Sequence, residues 1–298
     1  MKADATPDRE RLSLPLRNGR KLGYAIYGNA DAPESLFYFH GLPGSRLEAR
    51  RLDTAARGAG FRVIAVDRPG YGLSTPAPGR GWLDWAADVV ELADAVQAAR
   101  FGILAVSGGG PFALTCAHAL PDRVNRIALV CPLGPVTDHA LRRAMHWRFR
   151  VAFELAERSP ALLRLIYVSP VRLFAGQAPH LLELLGSMLG GKDGEVLREP
   201  ATSEWLAENL RESLREHGEG SIEDARLQTQ PWPFDLTSIH VPVTFWHGDA
   251  DPVVPLIHSR YMHDRIPGSK LHIVQGEGHF SLPIRYVERV IAALRERQ

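Results

Sequence analysis

The sequence predicts an α/β protein: a mainly parallel sheet flanked by helices, interrupted by a helical insertion before its last strands. Three observations predict it. From the N-terminus to about Pro132, short apolar runs alternate with segments of helical periodicity. From Leu133 to Asp235 there is no convincing strand, only helical stretches rich in Leu, Arg and Glu. After Ile239 the alternation resumes. The 298-residue chain therefore divides into a core of residues 1–132 and 236–298 and an inserted helical cap of residues 133–235.

Taken in order, the expected strands are Leu22–Tyr27, Leu36–His40, Arg62–Asp67, Gly102–Val106, Arg126–Cys131, Val243–His247 and Leu271–Val274. Most are continuous apolar runs, which suits strands covered on both faces. Ser45-Arg46-Leu47-Glu48 has capping-box spacing and predicts a helix that Gly58 and Gly60 close. Trp82, Trp85, Ala86, Val89, Ala93 and Val96 repeat at the helical period, with Asp84, Asp88 and Glu91 on the opposite face. Helices Leu256–Arg265 and Leu282–Arg295 follow the last two strands. Such alternation implies right-handed crossovers between parallel strands.

Composition excludes several classes. Hydrophobic residues make up 45% and charged residues 23% of the chain, ruling out a disordered or collagen-like protein. Lys+Arg is 35 against Asp+Glu 34, so no global field draws the chain to nucleic acid or to a membrane. Two cysteines, Cys116 and Cys131, make no disulfide framework and fit a reducing compartment. The charged start has no apolar signal-like core, and a cytoplasmic location is expected. Phe101 to Pro121 carries no formal charge, but Ser107-Gly108-Gly109-Gly110-Pro111 would break a membrane-spanning helix. A buried strand, a tight turn and a buried helix are predicted there, and no stable membrane insertion.

Charge divides within the insert. Asp138 to Arg172 carries seven Arg against three acids, whereas Gln177 to Asp235 carries five basic residues against twelve acids. The first stretch, with Met145, Trp147, Phe149 and Phe153, has the composition of a membrane-surface helix. A cap over a cleft is the preferred reading, with Trp147, Phe149, Phe153 and Tyr167 as an apolar substrate lining.

Ser107 ends an apolar strand and precedes an Ala/Leu/Cys-rich helix. A serine there occupies a sharp strand-to-helix turn with its hydroxyl above the sheet. Small neighbours let other backbone pass, and Gly108 presents its N–H at the helix N-terminus, where developing negative charge is favoured. Pro111 is tolerated because the first helical turn has no partner for its N–H. Gly108-x-Gly110-x-x-Ala113 also fits a dinucleotide fingerprint, but that motif needs an acid about 20 positions on. Ile127 to Pro132 offers none, and the nucleotide reading is rejected.

These motifs together resemble the α/β-hydrolase superfamily, in particular its capped, carboxylesterase-like serine hydrolases, over nearly the whole chain outside the insert. His40-Gly41-Leu42-Pro43-Gly44 resembles the superfamily's oxyanion segment. The resemblance implies that the Leu42 N–H joins that of Gly108 in an oxyanion hole, and that His40 and Gly41 support the loop. Asp67-Arg68-Pro69-Gly70-Tyr71-Gly72-Leu73-Ser74 resembles the family's structural turn. Ser107, Asp251 and His279 follow its chain order of nucleophile, acid and base. Ala105 departs from the first glycine of the serine motif, a substitution small enough to leave the turn intact.

His279 lies in a glycine-rich turn after the last strand, from which an imidazole reaches the top of the sheet. Asp249 and Asp251 both follow the Val243–His247 strand, and periodicity does not choose between them. Asp251 precedes Pro252, which restricts it to extended backbone, and it matches the superfamily's acid. Asp249 is expected to tie down the loop. No metal-ligand spacing occurs among the histidines, so no metal or cofactor is expected. The function expected is cleavage of a carboxylic ester, or a related acyl bond of a small apolar substrate, through an acyl-enzyme on Ser107. A small-molecule receptor with little turnover, or C–C hydrolase or lyase chemistry on the same residues, remains the alternative. Oligomeric state is not readable from the sequence.

Overall fold

Strands β1 (Leu12–Pro15), β2 (Lys21–Gly28), β3 (Glu34–Phe39), β4 (Phe61–Val66), β5 (Phe101–Val106), β6 (Val124–Val130), β7 (Val243–Gly248) and β8 (Lys270–Val274) form one sheet in a computed structural model of the chain. Their order is β1-β2-β4-β3-β5-β6-β7-β8, with β3 to β8 parallel and β2 antiparallel to both of its neighbours, β1 and β4. The structure describes residues 8–174 and 177–295; the charged N-terminal stretch up to residue 7 lies outside them. The uncharged run from Phe101 is a strand, a turn and a helix, as its sequence predicts. No described helix is long and apolar enough to cross a membrane.

Around the sheet lie α1 (Asp53–Ala59), α2 (Trp82–Ala95) and α3 (Gly110–Ala119). Then come the helices between β6 and β7: α4 (His139–Ala144), α5 (Trp147–Arg158), α6 (Pro160–Leu163), α7 (Ser169–Leu173), α8 (Ala178–Leu189), α9 (Gly191–Arg198), α10 (Pro200–Ser213) and α11 (Glu219–Gln228). The chain closes with α12 (Ile257–His263), α13 (Ser281–Arg285) and α14 (Val287–Arg295). The helix expected over Leu282–Arg295 is thus two, broken at Tyr286.

The central strands β3 to β7 are largely apolar because both faces are covered, whereas β1 and β8 at the two edges stay partly exposed. On β3, Phe37 and Phe39 pack with Trp85, Val89 and Phe112 of α2 and α3, while Leu36 and Tyr38 face Leu52, Ala56 and Ile291. Alternate residues of one strand therefore feed two cores. Each large side chain so buried contributes about 1.5–3 kcal/mol.

One expectation is corrected. Ser45 does cap, accepting the Leu47 N–H at 3.3 Å, but the segment Arg46–Leu52 is a 3-10 helix and Gly60, at φ +73°, ends α1. Glu48 does not return to the Ser45 N–H. That N–H donates to Asn209 Oδ1 at 2.9 Å, and Glu48 instead accepts from Tyr38 Oη at 2.6 Å and from the Gly41 N–H at 3.2 Å. The Asn209 amide oxygen from the insert takes the place of the local partner, and the carboxylate serves the Gly41 loop instead.

Sheet order locates the crevice. The chain leaves β3 for β4 on one side and returns to β5 on the other, and β3 and β5 are neighbours. Ligand clefts of open α/β sheets form beyond the carboxyl ends of strands at such a reversal. The Gly41–Leu42 loop and Ser107 are the residues that follow those two strands.

Candidate active site

Ser107 sits at φ +53°, in the left-handed region that non-glycine residues avoid. The turn is held open by absence of side chains beside it. A β-carbon on Gly109 would lie 2.4 Å from the Phe39 carbonyl oxygen and 2.7 Å from that of His40. On Gly108 it would meet Leu42 Cβ at 2.8 Å and the Leu42 nitrogen at 3.4 Å. The Leu42 and Gly108 backbones are therefore adjacent, next to Ser107. Backbone held this way marks a functional turn.

His279 Nε2 lies 3.0 Å from Ser107 Oγ, and His279 Nδ1 lies 2.7 Å from Asp251 Oδ2. Asp251 Oδ1 accepts the Val253 and Val254 N–H groups, each at 2.8 Å. Both side chains are buried. Burial opposes the charge on Asp251, but the His279 and His247 rings outweigh it and hold the carboxyl well below the usual carboxylate range. Burial alone would depress His279; the Asp251 carboxylate overrides it, with Asp193 and Glu48 adding, and raises the imidazole above its ordinary 6.5. Asp249 is exposed and accepts the Gly276 N–H at 2.6 Å, fastening the β7 loop to the loop that carries His279.

His40 is built into the floor of the Gly41–Leu42 loop. Its Nδ1 donates to the Gly41 carbonyl at 2.8 Å and its Nε2 accepts the Arg68 N–H at 3.2 Å. Burial, reinforced by the Arg68 charge, pushes it well below the ordinary value, so it stays neutral. Arg68 then donates to the His40 and Gly41 carbonyls at 2.6 and 2.8 Å and pairs with Asp224 at 2.8 Å, both partners fully buried. Arg80 and Tyr71 complete the shell of Asp224. From the opposite side Glu48 holds the Gly41 N–H, and burial raises its carboxyl despite the Tyr38 hydroxyl and that N–H.

Above this row opens a cavity of about 860 Å³ bounded below by Ser107 and His279 and walled by the insert. Trp147, Phe149, Phe153 and Tyr167 all line it. They differ in depth: Phe153 is buried, whereas Trp147 is 54% and Phe149 37% exposed, placing those two at the mouth.

Cys131, His247 and Asp251 bring possible metal ligand atoms within 4.8 Å of one another. Their lone pairs are committed. His247 Nε2–H donates to the Val254 carbonyl at 2.8 Å, leaving Nδ1 to accept the Ser259 hydroxyl at 2.6 Å. Burial also keeps the Cys131 thiol protonated. The cluster is suited to shoring up Asp251.

Sequence reasoning missed Glu48, His247, Asp193 and Asp224 as groups that hold the loops of the site; of the four, Glu48 also lines the cavity. A match to the alpha/beta hydrolase fold model covers residues 34–285. The chain belongs to the alpha/beta hydrolase fold family. Within that family it is 30% identical over 242 residues to an uncharacterized protein of Mycobacterium tuberculosis, a match covering 77% of this chain and 66% of the relative. It is 27% identical over 246 residues to a non-heme chloroperoxidase of Streptomyces lividans, covering 80% and 81% of the two chains. Among solved structures, an esterase from Exiguobacterium antarcticum superposes with TM-score 0.69 at 21% identity, covering 95% and 97%. An enol-lactonase from Burkholderia xenovorans superposes with TM-score 0.69 at 20% identity, covering 96% and 100%. These likenesses carry the fold of an alpha/beta hydrolase; the chemistry has to come from the site.

Proposed function

We propose that this chain is a serine hydrolase that cleaves a carboxylic ester, or a related acyl bond, of a small and largely apolar substrate. The observation that carries the reading is the continuous row Ser107 Oγ, His279, Asp251, at 3.0 and 2.7 Å, opening into an apolar cavity. Ser107 attacks the carbonyl, His279 takes its proton, and Asp251 holds the tautomer and stabilises the imidazolium. The Leu42 and Gly108 N–H groups receive the oxyanion, and water then releases the acyl group with His279 as base. Neutral, buried His40 fits a supporting role better than a proton acceptor's.

Residues 133–235 act as the cap, with Trp147 and Phe149 at the entrance and Phe153 deeper in the acyl pocket. Structural neighbours named as an esterase and an enol-lactonase agree with acyl-bond cleavage. The test is an active-site-directed fluorophosphonate together with turnover of p-nitrophenyl esters of graded acyl length. Ser107→Ala should lose both labelling and turnover while its melting curve survives. A wild-type protein that neither labels nor turns over any ester rejects the hydrolase reading in favour of a receptor.

A further inference from the structure

The loop that carries His279 is fastened by the insert. Asp193, on α9, is buried, and its Oδ2 accepts the His279 backbone N–H at 2.9 Å. Its Oδ1 accepts the Phe280 N–H at 2.9 Å and the Ser281 N–H at 2.8 Å. A β-carbon on Gly278 would lie 2.4 Å from both carboxylate oxygens, so only a glycine admits the group. On either side of Asp193, α9 is pinned to that loop and to α13, which follows it. Lys192 pairs with Glu277 at 2.8 Å and donates to the Gln275 carbonyl at 3.1 Å, and Glu195 pairs with Arg285 at 2.8 Å.

We propose that Asp193 is a positioning residue for His279, through which docking of α9 sets the base in place. This rests on the reading of His279 as the base. Three successive backbone donors converge on one carboxylate. Hydrogen bonds to an ionised acceptor are roughly twice as strong as neutral ones, and buried donors left without it cost about 1–3 kcal/mol each. The loop is also glycine-rich, with Gly276 at φ +71°, and so has much conformational freedom to lose. Asp251 fixes the ring of His279 and Asp193 fixes the backbone from which the ring hangs. Two carboxylates from two separate parts of the chain clamp one residue. When α9 lifts, the ring keeps only one of them.

The charges facing His279 are Asp251 from the β7 loop, Asp193 from α9 and Glu48 from the segment after β3, with His247 and Cys131 behind Asp251. All three carboxylates favour imidazolium, so removing one lowers the pH at which the imidazole loses its proton. Asp193→Asn is the informative substitution in the full chain. With its oxygen towards Phe280 and Ser281, its amide group faces the His279 N–H donor to donor.

The expected result for Asp193→Asn is a kcat reduced by about 10–100-fold with KM nearly unchanged. The ascending limb of its pH profile should move to lower pH. The 279–281 amides should exchange faster, and the His279 imidazole should titrate lower by NMR with labelled histidine. Glu195→Gln removes the ion pair to Arg285 on α13 without touching the loop that carries His279. It should lower the melting temperature slightly and leave kcat and the pH limb in place. If Asp193→Asn does not fold, Gly278→Ala applies the same test from the loop side by displacing the carboxylate.

An Asp193→Asn protein with wild-type kcat, pH limb and amide exchange overturns the proposal. So does a Glu195→Gln protein with the same kcat loss and limb shift, because α9 would then act by packing alone. Failure of the hydrolase reading looks different. Wild-type protein would turn over no ester, while the His279 titration and the amide exchange would still respond to Asp193→Asn.

Discussion

The two halves of the insert are both helical and both wall the cavity, yet they are attached by different means. Between His139 and Phe174, Arg142 pairs with Glu154 and Glu157, Arg164 with Glu219, and the Tyr167 hydroxyl donates to the Arg148 carbonyl, all within the insert. Large apolar side chains there face outward, Leu165 at 65% and Leu173 at 76% exposure. From Gly191 to Gln228 the polar groups point the other way. Asp193 holds the His279 loop, Asn209 takes Ser45, Glu212 pairs with Arg46, Asp224 with Arg68, and Gln228 donates to the Gly108 carbonyl at 3.0 Å. Part of the excess of acids in this half, Asp193, Glu208, Glu212 and Asp224, thus anchors it to the core. Both halves wall the cavity, but only the second also holds the loops around it.

Substitutions graded across these regions should separate them. The core sets the upper mark: Asp251→Asn should cut kcat by on the order of 10⁴, and Asp249→Asn far less, measured on one p-nitrophenyl ester. Equal losses would leave no special place for Asp251. In the anchoring half, Asp224→Ala strands the Arg68 and Arg80 guanidinium groups and should cost about 3–5 kcal/mol in urea unfolding. In the outer half, Glu157→Ala breaks a half-exposed pair and should cost about 0–1 kcal/mol. Similar costs at both sites would erase the distinction.

The pH dependence sharpens it further. As the proposed base, His279 would have to be neutral to accept a proton, so kcat/KM should climb through a pKa above 6.5. A raised pKa stabilises the fold below the unfolded value, and that contribution fades as pH rises through the folded one. Asp251 works in the opposite sense: its stabilisation is present above the unfolded carboxylate value and is lost as pH falls through the depressed one. Arg148→Ala and Trp147→Ala, both at the mouth, should leave the activity limb where it is. A shift in either would tie the outer half to the base. The smallest effect is expected of Trp147→Ala on stability, within about 0.5 kcal/mol, while its preference among ester chain lengths changes.

The strands of the core and the Ser107 turn were legible in the sequence because they are local: apolar runs bounded by glycines need no distant partner. β1 was not, since Leu12–Pro15 is short and only half-buried in alternation, and it pairs at an edge with β2. Glu48 was misread for a related reason. Its spacing from Ser45 fits a capping box, and a partner in α10 decides otherwise. Asp193 and Asp224 look like surface acids in a helical, acid-rich stretch, and their donors lie 86 and 156 positions away. Long-range polar pairing leaves no period in the sequence. Gly278, directly before His279, was the one visible sign that something approaches that loop closely.

That glycine has a consequence for inheritance. Since a carboxylate from α9 fills the space of its missing β-carbon, position 278 and position 193 cannot drift independently. A side chain at 278 expels Asp193, and loss of Asp193 alone strands three donors, so either single step is a worse protein than its parent. For recombination between relatives, the seam therefore does not lie at the ends of the insert. A chimera that keeps every core residue of this chain but receives an insert without an acceptor at 193 would inherit His279 with no footing beneath it.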